Sequence, residues 1–340
     1  MTDPESSLSW PQLAALLARP LGSEAFSPLA GRPLVLVAMA SAAEASTADL
    51  ALCRARLPQL PCPIIGIGAC RGSAAPAWSA LVDTSCADRA SADTLVRNCL
   101  RNPVAAMTLV QLLRHNARAG VEDGLLAESL AYGVLQGGAE FRAFLAGRAG
   151  APSAPAADAA PAVLIRESGA GELRITLNRP QQRNAYSVAM RDALVEALQL
   201  LDCDAGFERA VIDGAGDCFC VGGELAEFGL AADPATAHAV RSTRSAGRLI
   251  HRHAARIECR LHRACIGSGI ELPAFAGRVT ARADSYFQLP ELSMGLVPGA
   301  GGTVSIPRRI GRQRTAWMVL SGKRIRAQTA LAWGLIDAIT

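Results

Sequence analysis

The chain has 340 residues, half of them hydrophobic, and a formal net charge of +4 at pH 7. This length allows two domains, and the apolar content allows a sizeable core and excludes wholesale disorder. So small a net charge gives no reason to expect nucleic acid or an anionic membrane surface as a partner.

Cysteine usage and the N-terminus indicate the compartment. The ten cysteines include no CxxC pair and no Cys/His cluster at ligand spacing, so we expect buried reduced thiols and no metal site. The start, MTDPESSLSWPQ, is acidic and polar, whereas a signal peptide begins basic and then apolar. The longest apolar run, PLVLVAMA, is too short to span a bilayer. These features predict a cytoplasmic protein without a membrane segment.

Residues 1–148 divide into two parts. The runs PLVLVAM and CPIIGIG, between residues 33 and 70, have the short apolar pattern of buried strands. The turn GIGACRG after the second run does not fit a dinucleotide-binding fingerprint, because Gly72 falls one place late. Residues 91–147 then have the apolar spacing of helices.

The stretch AGRAGAPSAPAADAAPAV, residues 146–163, is rich in Ala, Pro, Gly and Ser and has no periodicity. Such a composition is typical of a linker. We therefore predict three regions, with an N-terminal segment at 1–148, a linker at 149–163 and a catalytic core at 164–340.

A strand, a helix and a second strand follow the linker. Leu173, Ile175 and Leu177 alternate with polar residues in GELRITLNRP, as in a half-buried strand. Ser187 is a suitable N-cap for the helix SVAMRDALVEALQLLD, whose apolar residues share one face. The run ERAVIDGAG predicts another buried strand. This order favours α/β layering.

Glycine-marked turns and two isolated carboxylates suggest a reactive site. CFCVGGEL, GSGIEL and PELSMGLVPGAGGT each contain a glycine turn, and the second leads into a helix. The first amides of such a helix are unpaired and can bind an anion or a developing oxyanion. Glu271 and Glu291 lie among apolar neighbours, which raise a carboxyl pKa and favour acid/base chemistry.

The second half resembles a known family. ITLNRPQQRNAYS, FCVGGEL, GSGIEL, FQLPELSMGLVPGAGGT, RRIGRQRTAWMVLSGKRI and ALAWGLIDAI occur in the order found in the crotonase (enoyl-CoA hydratase/isomerase) superfamily, over about residues 165–340. The resemblance implies an α/β fold built as a spiral of ββα repeats. It also implies that two backbone amides hold an acyl-CoA thioester, and by motif position these belong to Gly223 and Ser268.

The resemblance also implies roles for side chains. Glu271 matches the residue that activates water for attack at C3, and Glu291 matches the one that exchanges a proton at C2. Arg183, Asn184 and Ala185 match the loop that meets the adenine end of CoA, largely through its backbone. No cofactor is expected beyond the CoA of the substrate.

The organisation departs from the family pattern. Members of the family continue past GLIDAI with a helical region that covers the acyl pocket and builds the oligomer, and residues 81–147 resemble that region. We therefore expect residues 1–148 to be a degenerate crotonase-like segment that supplies capping and oligomerisation helices, and the protein to form a homo-oligomer.

Arg263 stands where the family usually has glycine, and we expect its side chain to crowd the backbone beside the oxyanion donor. The leading interpretation is an enoyl-CoA hydratase-like lyase of acyl-CoA metabolism. The alternatives are isomerisation or thioester hydrolysis on the same fold, and a non-catalytic acyl-CoA-binding subunit.

Overall fold

The computed structural model describes residues 6–19, 25–148, 160–169, 171–231 and 233–340. The chain begins with a small layer in which three parallel strands lie in the order β1, β2, β3. Trp10 and Trp78, with ring centroids 4.5 Å apart, belong to a separate core of this layer. The elements are α1 (Trp10–Leu17), β1 (Val35–Ala38), α2 (Thr47–Arg56), β2 (Ile64–Ile67), α3 (Ala75–Ser79) and β3 (Thr84–Cys86).

A run of helices follows this layer, as the sequence predicts for residues 91–147. Asp88 caps the first helix by accepting a hydrogen bond from the amide of Ser91. Pro103 occupies the first turn of the second helix, where its missing N–H leaves no hydrogen bond unmade. The helices are α4 (Arg89–Arg101), α5 (Pro103–Asn116), α6 (Val121–Gln136) and α7 (Ala139–Ala146).

The second half contains two sheets formed by the described residues. The larger has the strand order β12-β9-β7-β6-β5-β4 and is parallel except for the β4–β5 hairpin, and the smaller has the order β11-β10-β8. The strands are β4 (Val163–Ser168), β5 (Glu172–Leu177), β6 (Arg209–Gly214), β7 (Ile257–Leu261), β8 (Ala264–Ile266), β9 (Arg278–Ala281), β10 (Tyr286–Gln288), β11 (Ile325–Arg326) and β12 (Ala338–Ile339).

Helices alternate with these strands. Successive units place one strand in the larger sheet, the next strand in the smaller sheet and then a helix, as in β7-β8-α11 and β9-β10-α12. This is the spiral of ββα repeats that the sequence predicts. The helices are α8 (Val188–Cys203), α9 (Pro234–Thr243), α10 (Ala246–Arg252), α11 (Ser268–Glu271), α12 (Gly302–Ile310), α13 (Arg312–Ser321) and α14 (Ala327–Trp333).

Local sequence patterns account for β5 and α8. Leu173, Ile175 and Leu177 are buried on the core side of β5. Ser187 caps α8 by accepting a hydrogen bond from the amide of Met190. The predicted apolar face of α8 packs inward, and its fully buried members are Met190, Leu194, Ala197, Leu198 and Leu201. Both patterns are therefore confirmed.

The N-terminal helices pack directly on the second half. Helices α5 and α6 contact α12, and α4 contacts α13. Asparagine side chains of the N-terminal helices donate hydrogen bonds to backbone carbonyls of the second half: Asn98 to Leu320, Asn102 to Leu292 and Asn116 to Thr303. One apolar cluster includes residues of these helices together with β5, α8 and α12. The helical cap is thus supplied from the N-terminal half, as the sequence indicates.

Two expectations stay predictions. The domain limits at 148 and 164 are not tested by this packing, because the N-terminal helices and the second half share one apolar cluster. Residues 149–159 of the predicted linker lie outside the described residues. Within the described ranges, no helix is long and apolar enough to cross a membrane.

A buried ionic cluster joins the two halves. Asp83, just before β3, accepts hydrogen bonds from the Nε of Arg114 on α5 at 2.8 Å and from Arg312 on α13 at 3.3 Å. Its side chain is 3% exposed. We expect Asp83→Ala to lower the free energy of unfolding by about 3–5 kcal/mol, because it leaves two guanidinium groups without their anion. Urea unfolding measures this change.

The matched control is Asp93→Ala, which removes the carboxylate of an exposed ion pair with Arg89 on α4. We expect it to change the free energy of unfolding by less than about 1 kcal/mol, because exposed pairs are hydrated in both states. Equal effects of the two substitutions would contradict a structural role for the buried cluster.

Candidate active site

Glu271 is the last residue of α11, which begins directly after the turn that follows β8. The turn depends on Gly267, whose φ of +51° lies in the left-handed region. The Glu271 side chain is 2% exposed, and its Oε2 accepts hydrogen bonds from the amides of Ala300 at 2.8 Å and Gly302 at 2.9 Å. A buried carboxylate is thereby held in one orientation.

Glu291 reaches the same place from another element. It opens the 3₁₀ turn Glu291–Met294, which follows β10. A Cβ atom at Gly267 would lie 2.7 Å from Oε1 of Glu291 and 3.7 Å from Oε1 of Glu271. Oε2 of Glu291 is buried and has no hydrogen-bond partner among the described residues. The structure therefore brings the two glutamates together around Gly267.

A third carboxylate, which the sequence analysis missed, comes from the N-terminal half. Glu128 on α6 is 2% exposed, and its Oε1 accepts a hydrogen bond from the amide of Gly301 at 2.6 Å. Its Oε2 accepts from the amide of Thr303 at 2.9 Å and from the Thr303 hydroxyl at 2.6 Å. The signal in the sequence was helical spacing, since Leu125 and Tyr132 place Glu128 on the inner face of its helix.

Burial shifts all three carboxyl groups in the same direction. It raises the pKa of Glu291 to about 8, and the negative charge of Glu128 acts in the same sense. Burial raises the pKa of Glu128 to about 7, against hydrogen bonds from Thr303 and Gly301 that lower it. Burial also holds the pKa of Glu271 well above its usual value, with further contributions from Glu291 and Glu128. All three pKa values are therefore raised above the usual carboxyl range, which suits groups that exchange protons near neutral pH.

The two residues whose amides are expected to bind an oxyanion line one cavity. Gly223 lies in a loop that pairs with Tyr186, and Ser268 is the first residue of α11. The loop is held beside β8 because Ile266 donates its amide hydrogen to the carbonyl of Cys220. Among the described residues, neither the Gly223 nor the Ser268 amide donates to a protein group. Both are thus free to bind a ligand oxygen.

The predicted CoA loop adjoins this site. Arg183 and Asn184 both have positive φ, and Tyr186 donates its amide hydrogen to Gly222. The Asn184 side chain is fully buried, and it bonds the backbone of Arg179, Ala215 and Cys218. Its side chain is therefore structural.

Ala185 is also buried, whereas Arg183 is exposed. None of residues 183–185 lines the cavity described next. Their contact with CoA stays a prediction.

A cavity of about 870 Å³ contains the reactive groups. Glu128, Glu271, Glu291, Gly223 and Ser268 all line it, and helices α6, α9 and α10 form its walls. This volume is typical of sites that enclose small molecules. Within the part of the chain that the structure describes, no group of three His, Cys, Asp or Glu side chains is arranged to hold a metal ion.

The expectation that Arg263 crowds the oxyanion donor is wrong. Its side chain is 56% exposed, and its Nε lies 3.6 Å from a carboxylate oxygen of Asp284 at the surface. The backbone explains the family's glycine, because Arg263 has φ +50°, a conformation that favours glycine. Arginine in place of glycine therefore strains this turn, and its guanidinium group lies away from the cavity.

Comparisons with known proteins identify the family of the chain. A family model described as enoyl-CoA hydratase/isomerase matches residues 167–340. The chain is 34% identical over 169 residues to 2,3-dehydroadipyl-CoA hydratase of Escherichia coli, an alignment covering 49% of this chain and 65% of that protein. It is 29% identical over 170 residues to 1,2-epoxyphenylacetyl-CoA isomerase of Escherichia coli, with coverage of 49% and 65%.

Among solved structures, an enoyl-CoA hydratase from Thermoplasma volcanium is 31% identical, with a TM-score of 0.49 and coverage of 53% of this chain and 72% of that chain. The alignments with the two Escherichia coli enzymes cover less than two thirds of the length of those proteins.

Glu291 is expected to make stability depend on pH. The folded protein keeps a proton on this carboxyl group up to about pH 8, whereas the unfolded chain loses it near the ordinary value of 4.5. The group therefore favours the unfolded state increasingly as the pH rises from 4.5 to 8. Glu291→Gln cannot ionise, so we expect its free energy of unfolding to exceed the wild-type value by more than about 1 kcal/mol at pH 8 and by little at pH 4.

Urea unfolding at both pH values measures this difference, and the exposed Glu167→Gln is the control that should show no such change. A Glu291→Gln effect of the same size at pH 4 and pH 8 would contradict the raised pKa.

Proposed function

The chain belongs to the enoyl-CoA hydratase/isomerase family, and from this premise we propose that it adds water to the double bond of a 2-enoyl-CoA thioester. The observation that carries the proposal is that the buried Glu271 and the partly buried Glu291 meet around Gly267, beside two amides that have no protein partner among the described residues. Addition of water needs one group that takes a proton and another that gives one. The pair Glu271 and Glu291 supplies both.

The substrate carbonyl would be bound between the amides of Gly223 and Ser268. As the hydroxyl group of water bonds to C3, the electron pair of the double bond moves toward the thioester carbonyl and creates an enolate oxygen. Two amide donors at that oxygen stabilise the charge as it develops. The enolate then takes a proton at C2 and gives the 3-hydroxyacyl thioester.

The geometry favours a division of labour between the glutamates. Oε2 of Glu271 accepts two amide hydrogen bonds, which hold the carboxylate in place and offset part of the burial that raises its pKa, and its ionised form can take a proton from water. Oε2 of Glu291 has no such partner within the described residues, and burial raises its pKa to about 8. Glu271 is therefore the proposed base and Glu291 the proposed acid.

The same fold could instead move a double bond or hydrolyse the thioester. Movement of a double bond requires a proton to leave one carbon and another to be added nearby, which a single carboxylate can accomplish. The presence of two carboxylates favours hydration over this alternative. A non-catalytic binding subunit loses one of its two supports, because the Arg263 side chain lies at the surface, whereas the shortened N-terminal segment remains.

No cofactor is proposed beyond the CoA of the substrate. Arg183, Asn184 and Ala185 are proposed to bind the CoA portion through their backbone. A homo-oligomer and a cytoplasmic location stay predictions.

Glu271→Gln and Glu291→Gln are each expected to lower kcat on 2-enoyl-CoA thioesters by about 10²–10⁴-fold, because each removes one proton-transfer group. Loss of the enoyl-thioester absorbance measures the rate. The control is Glu140→Gln on α7. The Glu140 carboxylate lies outside the cavity and accepts hydrogen bonds from the amides of Val104 and Ala105, so this substitution should leave the rate near wild type.

Turnover that survives Glu271→Gln would indicate isomerisation or another reaction. An inactive wild type that still binds CoA would support the binding subunit.

The amide of Ser268 can be tested separately. Ser268→Pro removes the N–H group, and proline is tolerated at the first position of a helix. We expect kcat to fall by about 10²–10³-fold, since one oxyanion donor is lost. Ser268→Ala, which keeps the amide, should remain near wild type. Equal activity of the two variants would exclude this amide from the oxyanion site.

A further inference from the structure

One turn of backbone holds two carboxylates that come from opposite halves of the chain. The amides of Ala300 and Gly302 donate to Glu271, and the alternate amides of Gly301 and Thr303 donate to Glu128. This turn leads into α12. Glu271 therefore cannot keep its two hydrogen bonds unless the turn retains the conformation that Glu128 also contacts.

The glycine-rich turn does not fix its own conformation. Gly301 has φ +104°, and a Cβ at Gly302 would lie 2.5 Å from Cγ of Glu271. Glycine permits this conformation and this close approach, but it also has the most conformational freedom to lose on folding. Contacts from outside the turn must therefore hold it, and Glu128 provides three of them.

Helix α6 is itself anchored beside Glu128. Arg241 on α9 donates to the hydroxyl of Ser129 at 3.0 Å and to the side chain of Gln136 at 3.2 Å. Its guanidinium group lies 4.8 Å from the ring centroid of Tyr132. The arginine charge favours the ionised form of Glu128. A cation near this buried carboxylate offsets part of the cost of its charge.

We propose that Glu128 is a positioning residue of the candidate active site: it holds the Gly301–Thr303 turn, so that the neighbouring amides orient Glu271, and its charge acts on Glu291. This inference rests on the proposed function for its catalytic meaning. The carboxylate comes from α6, outside the matched segment 167–340. The N-terminal half therefore contributes to the site itself as well as covering it.

The charge of Glu128 should affect the pH dependence of the reaction, which a purely structural contact would leave unchanged. The charged groups around it are Glu271 on α11, Glu291 in the 3₁₀ turn after β10 and Arg241 on α9, with Tyr132 on its own helix. A negative charge at Glu128 makes ionisation of Glu291 less favourable. Its removal should therefore lower the pH at which Glu291 loses its proton.

The test uses the full chain with Glu128→Gln, and Glu140→Gln as the matched control. Both residues are carboxylates of the N-terminal half that accept two backbone amides near a helix start, but only Glu128 faces the cavity. For Glu128→Gln we expect kcat to fall about tenfold or more with a smaller change in KM, because Glu271 is misplaced. The alkaline limb of the kcat profile should move down by about one pH unit.

Amide hydrogen exchange provides a readout that does not depend on turnover. We expect the segment 299–303 to exchange faster in Glu128→Gln than in wild type, and to be unchanged in Glu140→Gln. If the wild type hydrates no 2-enoyl-CoA, the proposed function fails, whereas the exchange result still decides whether Glu128 holds the turn.

Thr303→Val provides a second test in case Glu128→Gln does not fold. It removes the hydroxyl that donates to Glu128 but keeps the side-chain shape, so it should shift the alkaline limb in the same direction by a smaller amount. Unchanged exchange at 299–303 in Glu128→Gln, or pH profiles in both variants that match wild type, would overturn the proposal.

Discussion

The turn from Ala300 to Thr303 is the constraint on which the candidate site depends. Its successive amides are shared between two buried carboxylates, Glu271 from the second half and Glu128 from the N-terminal half. Buried carboxylates need such donors, because loss of hydration otherwise disfavours their charge. The same hydrogen bonds that stabilise these charges also fix the position of Glu271. The geometry of the site therefore depends on how the two halves pack together.

The N-terminal half reaches this turn through more than one contact. Asn116 on α5 donates to both the carbonyl and the hydroxyl of Thr303, next to the hydrogen bonds of Glu128 on α6. Helix α6 also lines the cavity through Glu128 and Tyr132. These helices precede the core in the chain and yet complete its cavity. The sheet β1-β2-β3, which has its own core, contributes none of the described residues that line the cavity.

Much of the fold and part of the site follow from local sequence. The burial of Leu173 and Ile175 on β5 and the cap at Ser187 depend on spacing within a few residues, and such patterns are visible in a single chain. Glu271 and Glu291 stand out because each interrupts an apolar stretch. Their meeting around Gly267 was implied only by the family resemblance, because no local rule brings β8 and β10 together.

The placement of two side chains could not be predicted from local sequence patterns. Glu128 was missed because its partners lie more than 170 positions away, so its helix gives no indication that amides of a distant turn will solvate it. Arg263 was misjudged because its side chain follows the direction set by a φ of +50°, which sequence spacing does not reveal. Both errors concern the path of the backbone.

The central claim is that this site adds water across a conjugated thioester, and isotope incorporation tests it most directly. A 2-enoyl-CoA is incubated with the protein in deuterium oxide enriched in oxygen-18, and the product is examined by mass spectrometry. The account predicts a 3-hydroxyacyl-CoA with oxygen-18 at C3 and one deuterium at C2. Deuterium in an unsaturated product without oxygen-18, or release of free CoA, would contradict it.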